Sequence, residues 1–152
     1  VSRYANDTGV PIDRSRSEIE RTLTRYGAKA FMYATKPEKA MIAFEVEGRH
    51  IRMILPMPTD ADDSIRLNRW GRANKNAVIE KKIEQEARRR WRALALVIKA
   101  KLEAVSSGIA VFDDEFLAYM MLPDGRTVGE WAQPQIKKLG EKMPKMLPAG
   151  MD

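Results

Sequence analysis

The chain has 152 residues, no cysteine, 44% hydrophobic and 32% charged residues, and a formal net charge of +6. That length supports one self-sufficient core, and that composition excludes wholesale disorder. The missing cysteines remove disulfides, thiolate chemistry and the common zinc and iron–sulfur sites, and the basic balance points to an anionic partner.

One domain is expected over 1–152, with residues 1–14 a loose leader, 17–140 the folded core and 141–152 a frayed tail. In SEIERTLTRYG the Ser17 and Glu20 spacing matches a capping box, Ile19, Leu23 and Tyr26 form an apolar stripe, and Gly27 is a stop signal, so a short helix is expected there. Three strand-like runs follow. AFMYAT ends at a KPEK turn; AMIAFEVE alternates Ile42, Phe44 and Val46 with Ala43, Glu45 and Glu47; RHIRMILP alternates Ile51, Met53 and Leu55 with His50, Arg52 and Ile54. Gly48 supplies a hairpin turn between the last two. An antiparallel meander is expected, one face buried and the other, bearing Arg52 and His50, solvated or turned to a ligand.

PMPTDADDS reads as a connecting loop, and the basic SIRLNRWGRANKN after it has no clear period. From 77 to 105 the pattern is one long helix, with Ile79, Ile83, Ala87, Trp91, Leu94, Ile98, Leu102 and Val105 in a single arc. A short helix opened by Asp113 or Asp114, a turn at PDG and a last helix announced by Thr127 and Glu130 complete an α+β chain.

Positive charge is concentrated. Residues 66–101 hold twelve Lys or Arg against three Glu and net +9, leaving −3 for the remainder. At 100° per residue Lys81, Arg88, Arg92 and Lys99 form a stripe opposite the apolar arc, flanked by Lys82 and Arg89. Such a stripe is either a solvated face or a track for phosphates. Arg90 and Lys101 project into the apolar arc, so each must snorkel, pair with an acid or face a cleft. Trp91 belongs to the arc and reads as core. Trp70, among Arg69, Arg72 and Lys75, has the aromatic-in-basic setting on which bases stack.

Catalytic signatures are scarce. His50 stands alone, TDADDS lacks the glycine and distal glutamate of a calcium loop, and Asp113, Asp114 and Glu115 suit a first helical turn as well as a magnesium site. The glycine-rich phosphate loop and the nucleophile elbow are missing, so a non-catalytic protein with no cofactor and no metal is expected. No stretch approaches the roughly 20 apolar residues of a bilayer span, and the start of the sequence has no apolar signal core, so a cytoplasmic setting is expected.

The meander at 31–55 followed by ARRRWRALALVIKAKLEAVSSGIAVFDDEFLAY resembles, in element order and charge, the core of the single-strand annealing superfamily of recombination proteins, the Red-beta and RecT type. RWRALALVIKAKLEAV and LPDGRTVGEW are also similar to phrases in small phage and prophage proteins. The annealing likeness implies a positively charged groove between meander and helix, and assembly of copies into rings or filaments. LPDGRTVGEW has no counterpart in that core.

The expected function is therefore binding of single-stranded nucleic acid, DNA before RNA, and annealing of complementary strands. Its expected residues are Lys81, Arg88, Arg89, Arg90, Arg92 and Lys99 on the helix, Trp70 for stacking, and Arg52, Arg69, Arg72 and Lys75 closing the groove. The alternative is a phage-encoded protein-interaction module, an inhibitor or adaptor that uses the nine methionines and the basic stripe to dock on an acidic protein surface.

Overall fold

The structure, a computed structural model, describes residues 9–139. The element order is α1 (Ile12–Arg25), β1 (Ala30–Lys36), β2 (Lys39–Val46), β3 (Arg49–Pro56), α2 (Asp63–Arg66), α3 (Asn76–Ser106), α4 (Phe112–Phe116), a 3₁₀ turn (Leu117–Tyr119) and α5 (Val128–Lys138). The α+β class is as expected from the sequence. Most of the expected leader, and the 141–152 tail, lie outside the described residues.

α1 starts five residues before the expected cap. Pro11 has the extended backbone of an N-cap, and its carbonyl accepts from Arg14 and Ser15 at 3.1 and 3.2 Å. Ser17 is consequently inside the helix, and Ser17 with Glu20 only imitates a capping box. Extending the helix backwards adds Ile12 and the fully buried Ser15 to the stripe of Ile19 and Leu23.

The meander pairs in order β1-β2-β3, all antiparallel. Register places Phe44 opposite Phe31 and Ile51, and Ile42 opposite Tyr33 and Met53, on one face. Two residues turn β2 into β3, with Glu47 and Gly48 at φ 50° and 76°, the left-handed pair that a tight hairpin demands. α1 and α3 lie on the face of Ile42, Phe44, Ile51 and Met53 and complete the core with Ile19, Leu23, Trp91, Leu94, Ala95, Ile98 and Leu102. Trp91 is 1% exposed, as its place in the apolar arc predicts.

The C-terminal part closes one side of this core and one edge of the sheet. Phe116 of α4 meets Phe44 edge-on at 5.9 Å and stacks on Phe112 at 4.7 Å. Val111, not an aspartate, is the N-cap of α4; the acidic residues occupy its first turn, where the helix dipole favours them. Met120 then bridges to Ile51, Met121 donates to the His50 carbonyl at 2.8 Å, and Met121 pairs back with Thr127. MMLPDGRT is thus a small hairpin whose first arm, at Met120 and Met121, covers part of the outer edge of β3. α5 opens with a complete capping box between Thr127 and Glu130. It approaches the 3₁₀ turn so closely that a Cβ on Gly129 would stand 2.9 Å from the Ala118 carbonyl oxygen.

Candidate nucleic-acid interface

The two helices on the buried face run side by side in the same direction. Glu18 of α1 pairs with Arg92 of α3, and at the C-cap of α1 the Tyr26 hydroxyl donates to Glu103 at 2.9 Å. Between them lies a groove of about 440 Å³. Arg14, Arg21 and Arg25 line its α1 side, at spacings of seven and four that put them on one helical face. Arg92 and Lys99 line its α3 side. Among the described residues five cations therefore meet two carboxylates, Glu18 and Glu103, and both carboxylates are already engaged. Among the described residues Arg14, Arg21, Arg25 and Lys99 have no ion-pair partner. Like charges held this close repel one another, so a groove of this kind is stabilised by an anion lying along it.

Arginines expected to carry the stripe are mostly engaged inside the fold. Arg88 pairs with Glu84, and Arg89 and Arg90 both pair with Glu86. The sparse glutamates before RRRWR are enough to hold three of its four arginines, because each sits three or four residues upstream. The Glu86 carboxyl is drawn below its ordinary range, chiefly by the hydrogen bond from Arg89 and further by Arg90, against the opposing effect of burial. Arg90 also donates to the Pro56 carbonyl at 2.8 Å, tying α3 to the end of β3. Lys101, the other charge in the apolar arc, reaches Glu115 at 2.9 Å and lies over the rings of Phe116 and Tyr119 at 5.7 and 5.6 Å. Of the expected stripe only Lys81 and Lys99 have no such partner among the described residues.

Arg52 is not part of this groove. It shares the sheet face of Ala43 and Ile54, opposite to the face that α3 covers, and its guanidinium donates to Glu130 of α5 at 2.9 Å. A backbone hydrogen bond from Thr127, and after it the charge of Arg52, hold the Glu130 carboxyl below its ordinary range.

The basic loop before α3 is a separate feature. Leu67 bridges to Ala73, the Asn68 side chain accepts from the amides of Trp70 and Arg72 at 2.9 and 3.0 Å, and Gly71 takes φ 75°. Trp70 is 68% exposed and carries the Arg69 guanidinium 4.0 Å from its ring centre. Arg72 and Lys75 flank it without ion-pair partners among the described residues. From Lys75 to Lys99 the helix rises about 36 Å, so loop and groove occupy opposite ends of α3.

Sequence reasoning missed Arg14, Arg21 and Arg25. Their signal is the i, i+7, i+11 spacing, which starts inside the segment read as leader. The acidic run after Val111 is spent on structure: Asp113 accepts from Arg49 at 2.9 Å and Glu115 from Lys101. Among the described residues no group of three His, Cys, Asp or Glu is placed to hold a metal ion, and no helix is long and apolar enough to cross a membrane. Comparison with protein-family models, characterised proteins and solved structures finds no match to this chain.

Proposed function

We propose that this protein binds single-stranded nucleic acid along the groove between α1 and α3, without catalysis. The observation that carries the reading is the set of cations Arg14, Arg21, Arg25 and Lys99, without ion-pair partners among the described residues, which line one furrow. A furrow with cations on both walls offers contacts to a single phosphate backbone from two sides. Contacts of this kind read phosphates rather than base edges, so binding is largely indifferent to sequence and steeply dependent on salt. Tyr26, half-buried at the end of the groove, offers a ring for a base to stack on. Annealing of complementary strands, which the likeness to recombination proteins implies, is the activity we assign to copies acting together.

The test is a titration of labelled single-stranded and duplex oligonucleotides at several salt concentrations. Tighter binding to single strands with a steep salt dependence supports the proposal; equal, weak binding to both rejects it. A second reading, docking on a protein partner, is favoured by one observation. Met32 and Ile54 on the outer sheet face, and Trp131 and Ile136 on α5, leave 46–64% of each residue exposed. Stoichiometric capture of a protein by a chain that does not bind oligonucleotides would select that reading.

A further inference from the structure

The meander has two outer edges, and the chain treats them differently. Beside β3, Met120 and Met121 cover part of the edge, and the Met121 amide donates to the His50 carbonyl at 2.8 Å. On the far side of β1 no strand or bridge lies among the described residues. β1 pairs with β2 in unbroken register from Ala30 to Lys36, and six of its seven residues are exposed. Open edges usually carry a proline, a bulge or a charge that discourages further pairing. From Phe31 to Thr35, β1 carries none of these.

Register decides which backbone groups face outward. Because His50 accepts from beyond the sheet, its neighbours Arg49 and Ile51 bond to β2, and alternation across β2 turns Ala30, Met32 and Ala34 toward β2. Phe31, Tyr33 and Thr35 therefore present their N–H and C=O groups away from the sheet, without hydrogen-bond partners among the described residues. Their ladder is unfinished. At the Lys36 end, the outer sheet face holds a hollow of about 440 Å³, lined by the apolar Ala34, Met41 and Ile54 and by the cations Lys36, Lys39 and Arg52. Among the described residues no carboxylate lines it, and Lys36 and Lys39 have no ion-pair partner.

We infer that β1 takes an extended segment of a partner protein as a fourth, antiparallel strand, with an apolar side chain beside Ala34 and carboxylates beside Lys36 and Lys39. Main-chain bonds to Phe31, Tyr33 and Thr35 supply affinity, and the hollow selects the side chains. Antiparallel pairing is the more stable per residue, and it sets the order: the partner's acidic residues precede its apolar run. A second copy of this chain is a poor match, because residues 29–36 include two lysines and no carboxylate, so two such edges laid together bring only like charges. The edge is also separate from the α1/α3 groove, since no residue lines both hollows.

The probe is a capped, fluorescently labelled peptide in which two glutamates precede alternating valines and threonines, titrated into the full chain without nucleic acid. Saturable binding is expected, and amide exchange followed by NMR should slow most at Phe31, Tyr33 and Thr35. Thr35→Pro deletes one outward N–H at an edge position where proline is tolerated, and Lys36→Glu/Lys39→Glu reverses the charge of the hollow. Each should weaken binding about tenfold or more, with unchanged circular dichroism. The charge-reversed variant should in turn accept a peptide with lysines in place of the glutamates, which the parent rejects. Arg25→Ala/Lys99→Ala should bind the glutamate peptide as the parent does, so failure of the groove and failure of the edge are read separately. No saturable binding, protection centred elsewhere, equal affinity for the lysine peptide, or Thr35→Pro matching the parent overturns the inference. Slow exchange at the three amides before peptide is added also overturns it, assigning the edge to a second copy if it grows with protein concentration and to the chain itself if it does not.

Discussion

Replacing Arg25 and Lys99 by alanine removes two of the four cations that line the α1/α3 groove without an ion-pair partner among the described residues. If each neutralises one phosphate of a single strand, the logarithm of the association constant falls against the logarithm of salt by about 0.7 per contact. Four contacts give a slope of about −2.8, so raising salt from about 50 to about 200 mM weakens parental binding about fiftyfold. Two remaining contacts give about −1.4 and about sevenfold over the same interval. Fluorescence anisotropy of a labelled oligonucleotide measures both slopes directly. Arg88→Ala is the control, because Glu84 already holds that guanidinium, and its slope should match the parent. Equal slopes in the parent and Arg25→Ala/Lys99→Ala would refute the reasoning, as would Arg88→Ala losing as much as the double variant.

Trp91→Ala, at a site 1% exposed, should cost about 3–5 kcal/mol, a large part of the stability of a domain this size, and thermal melts should show it unfolding first among single variants. Thr127→Ala removes the hydroxyl that accepts from the Glu130 amide and should cost about 1 kcal/mol in urea denaturation. Glu86 has a folded-state pKa below its unfolded value, so its contribution to stability is present above the ordinary glutamate range and is lost as pH falls through the folded-state pKa. Glu86→Gln should therefore flatten the acid limb of the stability–pH curve below about pH 4.3 and change its slope little at neutral pH, which melts over a pH series will report.

Strands and the long helix were legible because burial on one side imposes a period on the sequence. Ile42, Phe44 and Val46 had to share a face, and Trp91 had to point with Leu94 and Ile98. Terminal signals were less reliable: Thr127 and Glu130 form the capping box that their spacing announces, whereas Ser17 and Glu20 have the same spacing inside a helix that Pro11 starts. The groove itself was legible only on its α3 side. Glu18 and Arg92 are 74 residues apart, and no local pattern announces that α1 lies beside α3 and contributes its own ladder of arginines. Arg52 is a different case. Its alternation with Ile51 and Met53 placed it on the face away from the core, and since an apolar helix must cover the core face, the strand and the basic helix could not share a groove.

One carboxylate oxygen of Glu130 accepts both the Thr127 amide at 2.8 Å and the Arg52 guanidinium at 2.9 Å. The first bond starts α5 and the second fastens it to the outer face of β3. An eleven-residue segment interrupted by Pro134 has little tendency to coil on its own, so winding and docking are one event rather than two. The last described helix is thus tied to the fate of the sheet: its amides should exchange with solvent in the same cooperative opening as β3, and a lesion at Arg52 should be felt as unwinding at the far end of the chain.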